Sequence, residues 1–182
     1  MKKVLVPLAP GFEELEAVTI IDLLRRASIE VTVAGLDEGA ITASRGTRIL
    51  PDKRLDSASS SAYDMIVLPG GLPGADNLNS DSRIHEILQQ MANNGRYIAA
   101  ICAAPKVLAS AGLLENKEMT SYPGSLSVAE AEGMHNTAKA VVVDGNIITS
   151  RGPGTAMDFA LQLIQLLVGD AVRKQVEDGL QR

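Results

Sequence analysis

YIAAICAAP, residues 97–105, runs five largely apolar residues straight into a cysteine, two alanines and a proline. An apolar run without alternation reads as a strand buried on both faces, Tyr97–Ile101. The alanines that follow favour a helix over Ala103–Ala111; Pro105 is tolerated because it falls in the first turn, and Gly112 supplies the stop. The segment is therefore a strand-to-helix elbow with Cys102 at its corner. A buried strand feeding a helix is half of a β-α-β unit, and the same rhythm recurs outward from it. Strand-like runs at Val4–Leu8, Ile29–Gly35 and Met65–Leu68 precede it, separated by helical patterns that include Glu14–Ala27 and Ser82–Asn93. After it come Ala140–Val143 and Ile147–Thr149, which read as an antiparallel hairpin with an Asp-Gly turn. Two further helices follow, Pro153–Val168 and a short one from Asp170 to about Asp178. Ser80 and Asp81 punctuate one helix start, and Gly95 and Gly169 mark helix ends.

Short connections between alternating strands and helices specify an α/β fold: a doubly wound, mostly parallel sheet with helices on both faces, in the flavodoxin-like order. Residues 41–50 add a short β-rich excursion. The Ser-rich run DSASSSAYD, 56–64, is too short for an interdomain linker and reads as a surface connection or short helix. A single domain over residues 1–182 is expected.

Composition narrows the function. Hydrophobic residues make up 46% of the chain, which excludes a disordered protein; aromatics are only 3%, so small aliphatic side chains must build the core. A net charge of −5 with no Trp gives neither a basic surface for phosphates nor stacking platforms for bases, and no specific nucleic-acid binding is expected. The lone Cys102 excludes an internal disulfide and points to a reducing, cytoplasmic setting. The opening MKKVLVPLAPGFEELE imitates a signal peptide, but Pro7, Pro10 and the acids from Glu13 break it. No apolar run approaches the roughly 20 residues of a membrane span.

Five of the eight prolines precede a glycine, at Pro10, Pro69, Pro73, Pro123 and Pro153. Such turns beyond strand ends are where an open α/β sheet builds its ligand crevice, although each alone is ordinary turn chemistry. Cys102 also has two readings by position. It is either an inert buried filler or a thiol activated at a helix N-terminus, where the positive dipole end lowers its pKa and the next N–H can stabilise an oxyanion. A nucleophile needs a proton partner. His85, inside a helix, and His135, in the irregular EGMHNTA, read as surface residues, so a Cys-His-Asp triad is not expected. Carboxyls are offered by Glu13, Glu14 and Glu16 in APGFEELEAV, where acids also suit a helix N-terminus. There is no G-x-x-x-x-G-K-[ST], no G-x-G-x-x-G after the first strand and no H-E-x-x-H; neither a nucleotide cofactor nor a metal is expected.

APGFEELEAV, the LPGG of Leu68–Gly71, AAICAAP around Cys102 and TSRGPGTAMDFAL at Thr149–Leu161 together resemble the ThiJ/PfpI superfamily. Within it they are similar to the branch of the Parkinson's-associated protein deglycase and bacterial YajL-like proteins. The resemblance runs nearly end to end. It implies a homodimer with Cys102 as the reactive thiol and Glu16 as its acid partner, the carboxyl pKa raised and the thiol pKa lowered as a coupled pair. It further implies oxyanion N–H groups from Gly71 and Ala103, and an anion and substrate pocket from Arg45 and, across the dimer, Arg26, with Gly152 and Pro153 nearby. Where animal members of the branch carry a histidine before a proline, this chain has Tyr122, a poor general base at neutrality. The protease-like branch has a histidine directly after the cysteine; Ala103 stands there, which disfavours peptidase activity.

The implied activity is cofactor-independent, glyoxalase III-like or deglycase-like detoxification of methylglyoxal, glyoxal or their early adducts, giving hydroxy acids. The alternative is a redox-sensing stress protein or chaperone oxidised to sulfinate at Cys102. A binding module that has lost catalysis is a third. For the dimer, Leu15, Val18, Ile20, Ile21, Leu23 and Leu24 cover more of one helix than a single core-facing stripe requires; the helix is either an interface or deeply buried within one chain.

Overall fold

The computed structural model describes residues 1–127 and 130–182. Strand β1 (Lys3–Leu8) leads into helix α1 (Glu14–Arg26) and strand β2 (Glu30–Gly35). A small hairpin, β3 (Ile41–Thr42) with β4 (Arg48–Ile49), precedes the short β5 (Lys53–Arg54) and then β6 (Met65–Leu68). Helices α2 (Leu72–Ser80) and α3 (Ser82–Asn93) follow, then β7 (Tyr97–Ile101), α4 (Pro105–Ser110), the two-residue strands β8 (Glu118–Met119) and β9 (His135–Asn136), the hairpin β10 (Val141–Asp144) and β11 (Ile147–Ser150), and finally α5 (Ala156–Val168) and α6 (Asp170–Gly179).

The main sheet has the order β10-β11-β7-β6-β1-β2-β5, parallel throughout except for the β10–β11 hairpin. Taking its five long parallel strands alone, chain order maps to 2-1-3-4-5, the flavodoxin-like arrangement. Strand alternation sorts the core into two layers. Val4, Val6, Val33, Val67, Ala99 and Ile101 face α1 and α5; Leu5, Ile66, Leu68, Ile98 and Ala100 face α3 and α4. Both faces are thus covered, which is why these strands read as continuous apolar runs. The chain reverses its direction across the sheet between β1 and β6, and the loops at the carboxyl ends of β1, β6 and β7 meet there.

Several local expectations change. The helix α2 is absent from the sequence reading because LPGADNLNS contains a Pro, a Gly, two Asn, an Asp and a Ser, all poor helix formers. Tertiary packing overrides propensity: Ala75 and Leu78 are buried, and Gly74 sits so close to the Phe12 backbone that a Cβ would lie 2.7 Å from the Phe12 nitrogen. The helix after Cys102 begins at Pro105 rather than Ala103, and residues 102–104 form a turn. The helix expected from Pro153 opens as a 3-10 turn, Pro153–Thr155. In the hairpin, Asp144 pairs with Ile147, so the turn residues are Gly145 and Asn146; the Asp144 carboxylate instead accepts the Glu118 N–H at 2.9 Å. Asp81 caps α3 as expected, accepting the Arg83 N–H at 3.0 Å. The 41–50 excursion is the β3–β4 hairpin, and the Ser-rich run forms two 3-10 turns.

Helix α1 buries Ile20, Ile21, Leu23 and Leu24 but leaves Leu15 52% and Val18 47% exposed, beside Leu50 of the hairpin region at 75%. Deep burial within one chain is therefore excluded for that edge of the helix. Among the described residues no helix is long and apolar enough to cross a membrane.

Candidate active site

Cys102 has φ +64°, a left-handed conformation that a residue with a Cβ adopts only under constraint, at about 1–3 kcal/mol. The constraint is visible on both sides. Its N–H donates to Ser150 O at the end of β11 (2.9 Å), and its carbonyl accepts the Tyr122 N–H (2.8 Å). Pinned this way, the corner holds Sγ where the N–H groups of Gly71 and Ala103 meet it. Cys102 is 8% exposed.

Glu16 lies in the first turn of α1 and is fully buried. Its Oε2 accepts the Gly70 N–H at 2.8 Å, and the carboxyl faces the Cys102 thiol. Burial pushes its pKa up to about 7, against the opposing pull of the Gly70 N–H and the thiol; the Glu13 charge adds to the rise. The thiol is pushed up to about 12 by burial and by the ionised Glu16 carboxylate beside it, with the Gly71 and Ala103 N–H groups pulling the other way. The expected lowering of the thiol pKa is therefore not found while Glu16 is charged. A short helix that starts only at Pro105 gives the sulfur little dipole to offset a buried anion. The two groups share one proton over a wide range of pH. When that proton sits on Glu16, the carboxyl donates to the sulfur instead of repelling it.

Two glycines make this contact possible. A Cβ on Gly70 would lie 2.6 Å from the Cys102 Cβ and 2.7 Å from Glu16 Oε2. Gly71, at φ +90°, turns its N–H toward the sulfur, and a Cβ there would meet the Gly11 carbonyl oxygen and, at 2.7 Å, the Glu13 nitrogen. Sequence reasoning missed Gly70 as the anchor of Glu16; the doubled glycine of LPGG was the available signal.

A cavity of about 240 Å³ opens above the sulfur, lined by Glu13, Arg45, Gly71, Leu72, Cys102, Ala103, Tyr122 and Pro153. A cavity of about 920 Å³ is an open trough of charged and polar side chains on and beyond α6 and has no cysteine, serine or threonine on its wall. Arg45 reaches the Cys102 cavity from the β3–β4 connection, and its guanidinium makes no ion pair among the described residues. Its position is set by Glu14, whose carboxylate accepts the Arg45 N–H at 3.1 Å; Ser44 Oγ donates to both Glu13 (3.0 Å) and Glu14 (3.1 Å). Partial desolvation of Glu14 is outweighed by N–H donors from Glu14, Arg45 and Thr47 and by the Ser44 hydroxyl, which hold its pKa at about 2. Glu13 and Glu14 thus brace the arginine loop, beyond the helix-terminus role that sequence alone assigns them.

Gly152 packs under Tyr122, where a Cβ would lie 3.2 Å from ring Cδ2. Arg26 is not in the cavity of its own chain: it sits at the far end of α1, paired with Asp22 at 2.6 Å. His85 is half-buried with Nε2 against Asn79 O (2.8 Å), and His135 is exposed on β9; neither lies at the site. Among the described residues no group of three or more His, Cys, Asp and Glu side chains is placed to hold a metal ion.

An α/β sheet with a strained cysteine elbow at the carboxyl end of β7, faced by a buried carboxyl, defines a class of nucleophile-elbow proteins. The DJ-1/PfpI family pattern matches residues 2–166, and the chain belongs to that family. It is 46% identical to protein dj-1beta of Drosophila melanogaster over 180 residues, covering 98% of this chain and 96% of that one. The crystal structure of that fly protein superposes with a TM-score of 0.93 at 45% identity, over 99% and 97% of the two chains. The glutathione-independent glyoxalase DJR-1.2 of Caenorhabditis elegans is 34% identical over 92% of this chain and 90% of its own. The oxidized form of Toxoplasma gondii DJ-1 gives a TM-score of 0.92 at 37% identity, over 100% and 98%. Glyoxalase-named proteins therefore occur among its relatives.

Proposed function

We propose that the protein converts methylglyoxal, glyoxal or their early adducts to hydroxy acids, without a cofactor, using Cys102 as nucleophile and Glu16 as the acid and base. One observation carries this reading: a buried carboxyl and two backbone N–H groups converge on the sulfur of a strained elbow beneath a small cavity. In the productive state the proton sits on Glu16 and the sulfur is the thiolate. The thiolate attacks the aldehyde carbon of methylglyoxal, and the oxygen that takes up charge is held by the Gly71 and Ala103 N–H groups and protonated to a hemithioacetal. Glu16, now ionised, removes the proton from that carbon to give an enediol whose second hydroxyl forms on the neighbouring oxygen, and returns the proton to the neighbouring carbon as the first hydroxyl gives up its own proton, leaving a thioester of lactate. Water cleaves the thioester, releasing lactate and the thiol. One carbon is oxidised and its neighbour reduced, so no external oxidant or reductant enters.

Arg45 suits the carboxylate of the product or an anionic adduct, and the family resemblance assigns Arg26 to the same task from a second subunit. We read the protein as a cytoplasmic homodimer, each chain one domain with one site; the exposed Leu15, Val18 and Leu50 support the interface. Ala103 in place of a histidine argues against peptidase activity. The test is turnover of methylglyoxal to lactate by the wild type and by Cys102→Ser.

A second reading, oxidation of Cys102 to sulfinate in a stress sensor or chaperone, draws on the oxidized Toxoplasma relative and on the same N–H donors. Low peroxide would then add two oxygens to Cys102 in a protein that turns over no dicarbonyl.

A further inference from the structure

Eight polar or charged residues are buried among the described residues, and five of them, Thr120, Ser121, Thr149, Ser150 and Thr155, lie in the two segments bonded to the Cys102 corner. None of the five lines the cavity above the sulfur, so none is placed to meet a ligand there. Thr149 stands in β11, paired with Ala100 of β7 on one side and Val142 of β10 on the other, so its backbone is committed to the sheet. Ile148 belongs to the layer facing α1 and α5. By strand alternation the Thr149 side chain enters the opposite layer, to which Ala100, Ile147 and Met119 belong. A hydroxyl in an apolar layer costs stability unless its oxygen is bonded. This one is: Thr149 Oγ1 accepts the Thr120 N–H at 2.9 Å, with Thr149 1% exposed and Thr120 fully buried.

That bond closes a ring around the nucleophile. From Thr149 the chain passes to Ser150, whose carbonyl accepts the Cys102 N–H at 2.9 Å; the Cys102 carbonyl accepts the Tyr122 N–H at 2.8 Å; and Thr120 stands two residues before Tyr122. Both peptide groups of the corner at φ +64° are therefore held by segments that Thr149 ties to each other. Of the three hydrogen bonds in the ring only this one uses a side chain, so it is the one a substitution can remove. We infer that Thr149 is a positioning residue for Cys102: its hydroxyl oxygen locks the end of β11 to the segment before Tyr122, and the lock keeps the corner in the conformation that sets the sulfur against Glu16 and the Gly71 and Ala103 N–H groups. The inference rests on Cys102 being the reacting thiol, as proposed above, but not on which reaction it performs. Without the bond the Thr120 N–H is left buried and unpaired, the two clamps part, and the strained corner relaxes, carrying Sγ off its partners.

Alkylation of Cys102 by iodoacetamide, in which the thiolate forms a C–S bond as C–I breaks and iodide leaves, reads the sulfur directly. Its rate is followed by intact mass across the neutral pH range, with Tm measured alongside, in the wild type, Thr149→Val and Thr149→Ser. Valine keeps the shape and loses the oxygen; serine keeps the oxygen and loses a methyl group. Glu16, Glu13, Arg45 and Tyr122, the titratable and charged groups around the sulfur, are unchanged in both. In Thr149→Val the inflection is expected to move from near 7 toward the ordinary thiol value of about 8.5, with a rate at neutral pH about tenfold lower, and Thr149→Ser to restore both. A lost structural contact lowers Tm without moving an inflection. A wild-type profile in Thr149→Val, or a Thr149→Ser as slow as Thr149→Val, therefore overturns the assignment. If Thr149→Val does not fold, Ser125→Ala loosens the same ring from a partly exposed position, where Ser125 Oγ donates to the Tyr122 carbonyl at 2.8 Å and lies 3.4 Å from the Cys102 carbonyl. A fall in rate of about twofold or more there supports the ring, and a smaller one overturns it. A wild type that alkylates as expected but turns over no methylglyoxal overturns the dicarbonyl function and leaves the Thr149 assignment standing.

Discussion

Glu16 Oε2 accepts the Gly70 N–H at 2.8 Å, and this one bond holds a buried carboxyl against the Cys102 sulfur. The bond ties α1 to the loop after β6, two elements that follow strands on opposite sides of the sheet's reversal point. It also commits the carboxyl to one geometry. Its other oxygen, buried and without a hydrogen-bonding partner among the described residues, is left for the proton it shares with the thiol.

Replacing Cys102 by serine removes the nucleophile while keeping a similar side-chain size. Turnover of methylglyoxal, followed as lactate formed, is expected to fall at least about 10³-fold with little change in Tm. Unchanged activity would sink the mechanism.

The shared proton has a kinetic signature. Loss of the first proton from the pair near pH 7 creates a state in which thiolate is available, so Cys102 alkylation by iodoacetamide should rise through an inflection near 7 in the wild type. Glu16→Gln removes the titrating carboxyl, and that inflection should vanish, leaving a single thiol ionisation. A wild-type profile with no inflection below about 8 would show that Glu16 does not exchange its proton with the sulfur.

Stability should carry the same carboxyl's mark. Glu16 is raised from an unfolded value of 4.5 to about 7, so between those values the folded state binds more protons than the unfolded one. Stability from this group is fully present below about 4.5 and is lost as pH rises through 7, by on the order of 3 kcal/mol. Thermal melts at pH 5 and pH 8 should show the wild type losing Tm at the higher pH, and Glu16→Gln should be nearly flat over that window. Glu14, held at about 2, has its contribution complete above 4.5 and does not enter.

Gly70→Ala forces a methyl group to 2.6 Å from the Cys102 Cβ. Because the neighbours are the elbow backbone and a pinned carboxyl, they cannot yield without moving the site. About 1–3 kcal/mol of destabilisation in denaturant melts, with a turnover loss larger than the melt explains, is the expected result. A variant with wild-type kinetics would mean that the contact relaxes freely.

Leu15, Val18 and Leu50 form the exposed apolar edge assigned to the second subunit. Leu15→Glu with Val18→Glu should shift the protein from dimer to monomer in sedimentation velocity. If the double variant and the wild type sediment as the same species, the interface lies elsewhere.

What the chain determined by itself was the layering. Uninterrupted runs such as Val4–Leu8 and Tyr97–Ile101 can be buried only in a sheet covered on both faces, and helices with punctuated ends supply the cover. The corner at Cys102 was equally legible, because a strand that meets alanines and a proline can only turn into a helix. Local propensity failed at α2, where Pro73, Gly74 and Asn77 argue against a helix that burial of Ala75 and Leu78 nonetheless stabilises. Only the tertiary structure decided the site's electrostatics. Gly70 and Glu16 are 54 residues apart, and whether a carboxyl is an exposed helix-terminus acid or a buried proton donor depends on what the sheet's reversal brings beside it. At Glu14 the outcome is the opposite of that at Glu16: N–H groups that the β3–β4 loop brings to it from more than thirty positions away outweigh its partial desolvation, whereas at Glu16 burial wins.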